Sequence, residues 1–478
     1  MTDSEPHDQS IAELGRRLRT GELSPVTLTE ALLARIADLD GALGAFQLVS
    51  ADRALAAARG AEATLAAGHD LGPLHGIPYA VKDLFDVDGL PTTAGTHLLG
   101  DNIADADASV VARLARAGMI LLGKTKTVQF AYGGAGVNHD LGTPHNPWNR
   151  VHHLPGGSSS GSAVSVAAGL APAALGTDTG GSVRIPAALC GITGLKTTVG
   201  QVSRAGVYPL SWSLDSVGPL ARSVEDAALV YQAMQGPDAG DDTTHGRPLQ
   251  DVMTGLGDGV EGLRIGIAET VFWDDAHPEV AAAVRTAAEG FESLGAHVRS
   301  MDFPVAADAL ALNPSGLVIA AEAYTVNRRF IDEHYDELDP VVASRMVKGR
   351  DVSAADYLQA TLDWKRLRLE AVHQLRDVDA ILCPTTPVPA CTLADADGDM
   401  ETYMRRNVMY LRNTAIGNIL DLCGLSVPCG LTGDGLPIGL MIYGRPFHED
   451  TVLRIGHAYQ QATKWHLQRP DLKWATSG

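Results

Sequence analysis

Three short segments hold residues whose types could do chemistry together. Lys82 ends an apolar run, Ile77 to Val81, with Tyr79, Leu84 and Phe85 nearby. Ser158 and Ser159 lie in the glycine-flanked run PGGSSSGS, and Ser182 closes TDTGGS. A serine hydroxyl needs a base before it attacks a carbonyl, and a lysine serves as one when burial disfavours its ammonium form. The apolar neighbours of Lys82 would supply that burial. Gly180 and Gly181 let successive backbone N–H groups face one point, the arrangement that holds an oxyanion. The pattern points to nucleophilic acyl chemistry with neither a metal nor an organic cofactor.

Three other patterns imply different proteins. Gly118 to Thr125, GMILLGKT, has the letters of a phosphate loop, but its Met-Ile-Leu-Leu centre suits a buried strand. Gly257 to Gly262, GDGVEG, has the letters of a dinucleotide loop, yet the strand LRIGIA follows it instead of preceding it, so it reads as a turn. Gly157 to Gly161, GSSSG, places Ser159 where an α/β-hydrolase elbow holds its nucleophile, with His448 or His457 as the base in chain order. Nothing around either histidine marks it as catalytic, and the elbow stays as an alternative.

The elements that must position these residues follow from periodicity. Ile11 to about Ala67 reads as helices, with Ser24-Pro25 as a start signal. The run ending at Lys82, the amphipathic ASVVARLARAG and the buried MILLGKT make a β-α-β rhythm that favours an α/β sheet. LRIGIAE, EVAAAVRTAAEGFESLG and HVRSMDFP repeat it. Pro237 to Gly262 reads as a linker or surface excursion, Ala306 to Leu375 as mostly helical, and Val378 to Pro384 as a buried strand. Near the C-terminus GLSVPCGLT and GLPIGLMIYG read as two strands about a turn, before a closing helix at Glu449 to Ala462.

Composition narrows the class. The chain has 478 residues, 45% hydrophobic and 20% charged, as in soluble globular proteins. Its net charge of −20 repels phosphate backbones and anionic membranes, so neither nucleic acid nor membrane is expected as a partner. No apolar run approaches a membrane span, and no signal-peptide core is present at the N-terminus. Five scattered cysteines form no CxxC pair, which fits a reducing cytoplasm. The 51 glycines against 5% aromatic residues point to places where the backbone must approach something closely.

The run from Leu74 to Thr96, PGGSSSGSAVSVAAG (Pro155 to Gly169) and above all ALGTDTGGSVRIPAALCGITGLKTT (Ala174 to Thr198) resemble the amidase signature family. The likeness continues through Ser213 to Ala228, Ala380 to Ala390 and Gly435 to Asp450, most of the chain. It implies an α/β fold with a mixed, twisted β-sheet covered on both sides by helices. It implies one catalytic domain over residues 1–478, with N-terminal helices at 1–70, the signature core at 72–230 and a helical substrate-pocket region at 306–376. It also implies a Ser-Ser-Lys triad in which one serine follows a cis peptide. Ser182 is then the nucleophile, Ser158 the bridging serine 24 residues before it, and Lys82 the base. Backbone amides of Thr179, Gly180, Gly181 and Ser182 would form the oxyanion hole, and Tyr132, Gly133 and Gly134 would line the acyl pocket. Asp178 and Arg184 are expected to fix the Ser182 loop by charge-assisted hydrogen bonds.

The resemblance implies an amidase acting on a small-molecule carboxamide. Carbamate, urea-type and ester substrates stay open, as does the glutaminase subunit of a tRNA amidotransferase. That branch keeps an acidic residue shortly before the Asn of its C-terminal block, and here the stretch reads LRNTAIGN (Leu411 to Asn418). A homodimer is the expected assembly.

Overall fold

The computed structural model describes residues 5–313 and 316–476. The apolar run ending at Lys82 forms a strand, Pro78–Lys82, buried at every position. Runs of this kind, short and apolar on both faces, suit the middle of a sheet covered by helices. Eleven strands join in one sheet: Phe46–Val49 (β1), Pro78–Lys82 (β2), Ile120–Thr125 (β3), Ala173–Asp178 (β4), Thr193–Lys196 (β5), Ser216–Ala221 (β6), Arg264–Ala268 (β7), His297–Met301 (β8), Ala380–Pro384 (β9), Cys423–Leu431 (β10) and Pro437–Gly444 (β11). Their order is β1-β3-β2-β4-β6-β5-β10-β11-β9-β7-β8. The sheet is mixed and flanked by helices: β3, β2 and β4 run parallel, as do β9, β7 and β8, and the other pairs are antiparallel.

The parallel register of β2 with β4 pairs Ala80 with Ala174 and Val81 with Leu175. Both strands therefore end on the same edge, carrying Lys82 and Thr177 together to the carboxyl ends of parallel strands, where open α/β sheets place their sites. Leu32, Ile77, Val81, Val164, Leu175, Leu220, Leu425 and Leu440 belong to the main apolar core.

Two stretches differ from the sequence expectation. The N-terminal region is not wholly helical: β1 separates helix Pro25–Leu43 from helix Ala51–Ala66. Gly44 ends the first helix in the left-handed region at φ 61°, and the four residues Phe46–Val49 are too few for a periodic signal. Their strand character comes from pairing with β3. The Pro237–Gly262 stretch sends Val252, Leu256 and Val260 into the main core instead of crossing the surface as a linker. Gly118 to Thr125 runs into β3, whose residues are all buried, so no phosphate cradle forms there. The GDGVEG run precedes β7.

Candidate active site

Lys82 is fully buried, and its Nζ donates to Ser158 Oγ at 2.8 Å and to Thr177 Oγ1 at 2.8 Å. Burial lowers its pKa to about 7, against the opposing pull of Asp215 and Asp178. A lysine in this state is half neutral near pH 7 and able to accept a proton.

The peptide bond Gly157-Ser158 is cis. Both of its residues are tied to neighbouring backbone. Gly157 N donates to Gly134 O at 2.8 Å, and Ser158 O accepts from Val128 N at 3.3 Å and from the Thr127 hydroxyl at 3.0 Å. Ser159 N then donates to Ser182 O at 3.2 Å, which joins the two serine loops directly. Helix Ser160–Ala167 starts at once after Ser159 and is buried throughout. Ser159 Oγ donates to Thr177 O at 3.3 Å, a backbone contact, His457 pairs with Gln461, and among the described residues no histidine is hydrogen-bonded to Ser159.

The Ser182 loop is built around Asp178. Its carboxylate accepts from Gly181 N at 2.8 Å, Val183 N at 3.1 Å, Arg184 Nε and Nη2 at 3.0 Å each, and Asn418 Nδ2 at 2.8 Å. Burial works to raise the Asp178 pKa, but the Arg184 charge and these donors hold it well below the usual carboxylate range. Thr414 Oγ1 donates to Gly180 O at 2.7 Å, and Thr179 Oγ1 to Asp215 Oδ1 at 2.5 Å. Gly181 has φ 132°, and a Cβ there would collide with the Thr414 side chain. The Gly181 amide is already engaged with Asp178, which leaves Thr179, Gly180 and Ser182 as the amides available to an oxyanion.

Ser182, Thr179 and Gly180 line a cavity of about 260 Å³, with Tyr132 and Gly133 on its wall. Gly134 stands behind that wall, where its amide donates to Asn407 Oδ1 at 2.6 Å. Three cations reach the cavity: Arg345, Lys348 and Arg412. Among the described residues no Asp or Glu lines it. The Arg345 guanidinium lies 3.9 Å from the Tyr132 ring centroid and donates to Tyr132 O at 2.7 Å. Also among the described residues, no cluster of His, Cys, Asp and Glu could hold a metal ion, and no helix is long and apolar enough to cross a membrane.

The structure thus brings Lys82, Ser158, Thr177 and the Ser182 loop to one place. Thr177 escapes the sequence reading although it lies inside the same GTDTGGS run. Its alternation with Asp178 along β4 is a usable signal. Arg345 comes from helix Pro340–Met346, within the stretch read as the substrate-pocket region, and Asn407 and Arg412 from helix Met400–Ile419, Arg412 within the LRNTAIGN stretch; only the fold brings these side chains to the cavity.

The Amidase family model matches residues 27–453, and the chain belongs to that family. It is a hydrolase acting on amide C–N bonds. It is 40% identical to the glutamyl-tRNA(Gln) amidotransferase A-subunit of Roseiflexus sp. (strain RS-1), over 98% of this chain and 99% of that one. It is also 40% identical to the 2-amino-5-chloromuconic acid deaminase of Comamonas testosteroni, over 93% of this chain and 94% of that one. The solved peptide amidase of Stenotrophomonas maltophilia superimposes with a TM-score of 0.85 at 32% identity, covering 97% and 99% of the two chains.

Proposed function

We propose that this enzyme hydrolyses small carboxamides whose acyl portion carries a negative charge, through an acyl-enzyme on Ser182. Neutral Lys82 takes the proton of Ser158 while Ser158 takes that of Ser182, and Ser182 Oγ bonds to the carbonyl carbon. The oxyanion forms against the amides of Thr179, Gly180 and Ser182, each good donor contributing about 3 to 4 kcal/mol in comparable enzymes. The relay then returns the proton to the departing nitrogen as the C–N bond breaks, and a water repeats the sequence to release the acid.

The observation that carries the substrate class is the charge of the cavity. Among the described residues, Arg345, Lys348 and Arg412 line it without a carboxylate, in a chain whose net charge is −20. Cations kept at a pocket against that background favour an anionic occupant. The likeness to the amidotransferase glutaminase chains favours glutamine as a second reading, since glutamine also has a carboxylate. Its ammonium, however, would meet three cations and, among the described residues, no acid, and Leu411 lines the cavity in the stretch where that branch keeps its acidic residue. A free, self-sufficient enzyme accords better with this pocket than a glutaminase subunit does.

The test is turnover of three isosteric amides: succinamate, levulinamide with a methyl ketone in place of the carboxylate, and isocaproamide with an isopropyl group there. Succinamate is expected to give the highest kcat/KM. Labelling of Ser182 by a fluorophosphonate, read by mass, is expected in the wild type and absent in Ser182→Ala. Glutamine as the best substrate, or labelling elsewhere, would overturn the reading.

A further inference from the structure

Asn407 lies on helix Met400–Ile419, one turn before Leu411, and is fully buried. Its Oδ1 accepts from Gly134 N at 2.6 Å and from Ala135 N at 3.3 Å. Those two groups can only donate, so the oxygen must be the atom that faces them, and the orientation of the carboxamide is settled by chemistry. The Nδ2 group is left buried with no hydrogen-bond partner among the described residues, in a residue that lines the cavity of Ser182. Buried donors without partners are rare, because they have given up water and received nothing in return.

We propose that Asn407 is a specificity-determining residue whose Nδ2–H donates to an oxygen on the acyl end of the substrate. The inference rests on the amidase reading of the same cavity and deepens it. Arg345, Lys348 and Arg412 supply charge, which attracts an anion from any direction; a fixed carboxamide supplies direction. Its second role follows from the same side chain. Gly134, held by Oδ1, accepts at its carbonyl from Gly157 N, the residue before Ser158. Asn407 therefore joins recognition of the acyl end to the loop that carries the bridging serine.

The substitution Asn407→Asp separates the two roles, because a carboxylate still accepts from Gly134 and Ala135 but has no hydrogen to give. Levulinamide keeps an acceptor oxygen without a charge, so repulsion between two full charges does not enter the comparison with isocaproamide. The expected result is that the levulinamide-to-isocaproamide ratio of kcat/KM falls roughly tenfold in Asn407→Asp, the scale of one hydrogen bond. An equal fall on both amides would mean a purely structural role and would overturn the inference. A structure of Ser182→Ala with levulinamide bound decides the matter without touching Asn407: a ketone oxygen beyond hydrogen-bond distance of Nδ2 overturns it. Failure of wild-type enzyme to turn over any of the three amides would instead defeat the small-carboxamide reading of this pocket, and a wild type that took isocaproamide as well as succinamate would defeat only the anionic one.

Discussion

Arg184 grips Asp178 with both faces of the pair in register: Nε donates to Oδ2 and Nη2 to Oδ1, each at 3.0 Å, with neither side chain exposed. The two residues flank Ser182, so the ion pair closes the loop that presents it. Arg184 Nη1 further donates to Tyr443 Oη at 2.7 Å and Nη2 to Asn418 Oδ1 at 2.7 Å, which fastens this loop to β11 and to helix Met400–Ile419.

Asp178→Asn removes one charge and leaves the buried guanidinium uncompensated. Breaking a buried pair in this way costs about 3–5 kcal/mol. The expected outcome in urea unfolding is a loss of that size, with activity lost as well, since the Gly181, Val183 and Arg184 contacts on the carboxylate weaken together. Near-normal stability would mean that the loop is held by its other contacts.

Lys82 sets the pH dependence. Its pKa is lowered to about 7 from an ordinary value of 10.5 by burial, so it is neutral above about pH 7 and charged below. With Lys82 as base, kcat/KM is expected to level off above that value and to fall about tenfold per pH unit beneath it. The stability linkage has the matching sign. Between about 7 and 10.5 the unfolded chain binds the proton that the folded one lacks, so stability rises with pH across that window. A flat rate profile from pH 5 to 8 would exclude lysine as the base.

Thr177 is the second hydroxyl on Lys82 Nζ. An accepting oxygen favours the ammonium form, so Thr177→Val is expected to move the midpoint of the rate profile to lower pH and to reduce kcat while KM changes less. An unmoved midpoint would assign Thr177 a packing role alone.

The cations of the cavity make a salt-dependent prediction. Lys348→Met and Arg412→Met are each expected to raise KM for succinamate by roughly ten- to a hundredfold, the scale of a charged hydrogen bond, with a smaller effect on isocaproamide. Added salt should raise KM for succinamate in the wild type more than in the variants. Equal effects on charged and neutral amides would remove these residues from substrate recognition.

Pro78–Lys82 and Ile120–Thr125 were legible as strands in the sequence because each is an apolar run too short for a helix and set off by a preceding glycine, Gly76 and Gly118. The Ser182 loop was legible as a close-approach site because Gly180-Gly181 permits backbone that other residues forbid, and its motif recurs in a known family. Asp178 and Arg184 were legible as loop anchors for the same local reason. β1 was not, because four residues hold too little periodicity and their partner strand is remote in the chain. The roles of Arg345, Asn407 and Arg412 were beyond reach, although Arg345 lies in the stretch read as the substrate pocket and Arg412 in LRNTAIGN, since each side chain acquires meaning only where helices Pro340–Met346 and Met400–Ile419 converge on Ser182. Local sequence thus determined strands such as Pro78–Lys82 and Ile120–Thr125 and the glycine loops, which depend on neighbours a few residues away. Tertiary structure decided the charge of the cavity, the burial that brings Lys82 near neutrality and the unpaired donor of Asn407, because these depend on which distant surfaces exclude water together.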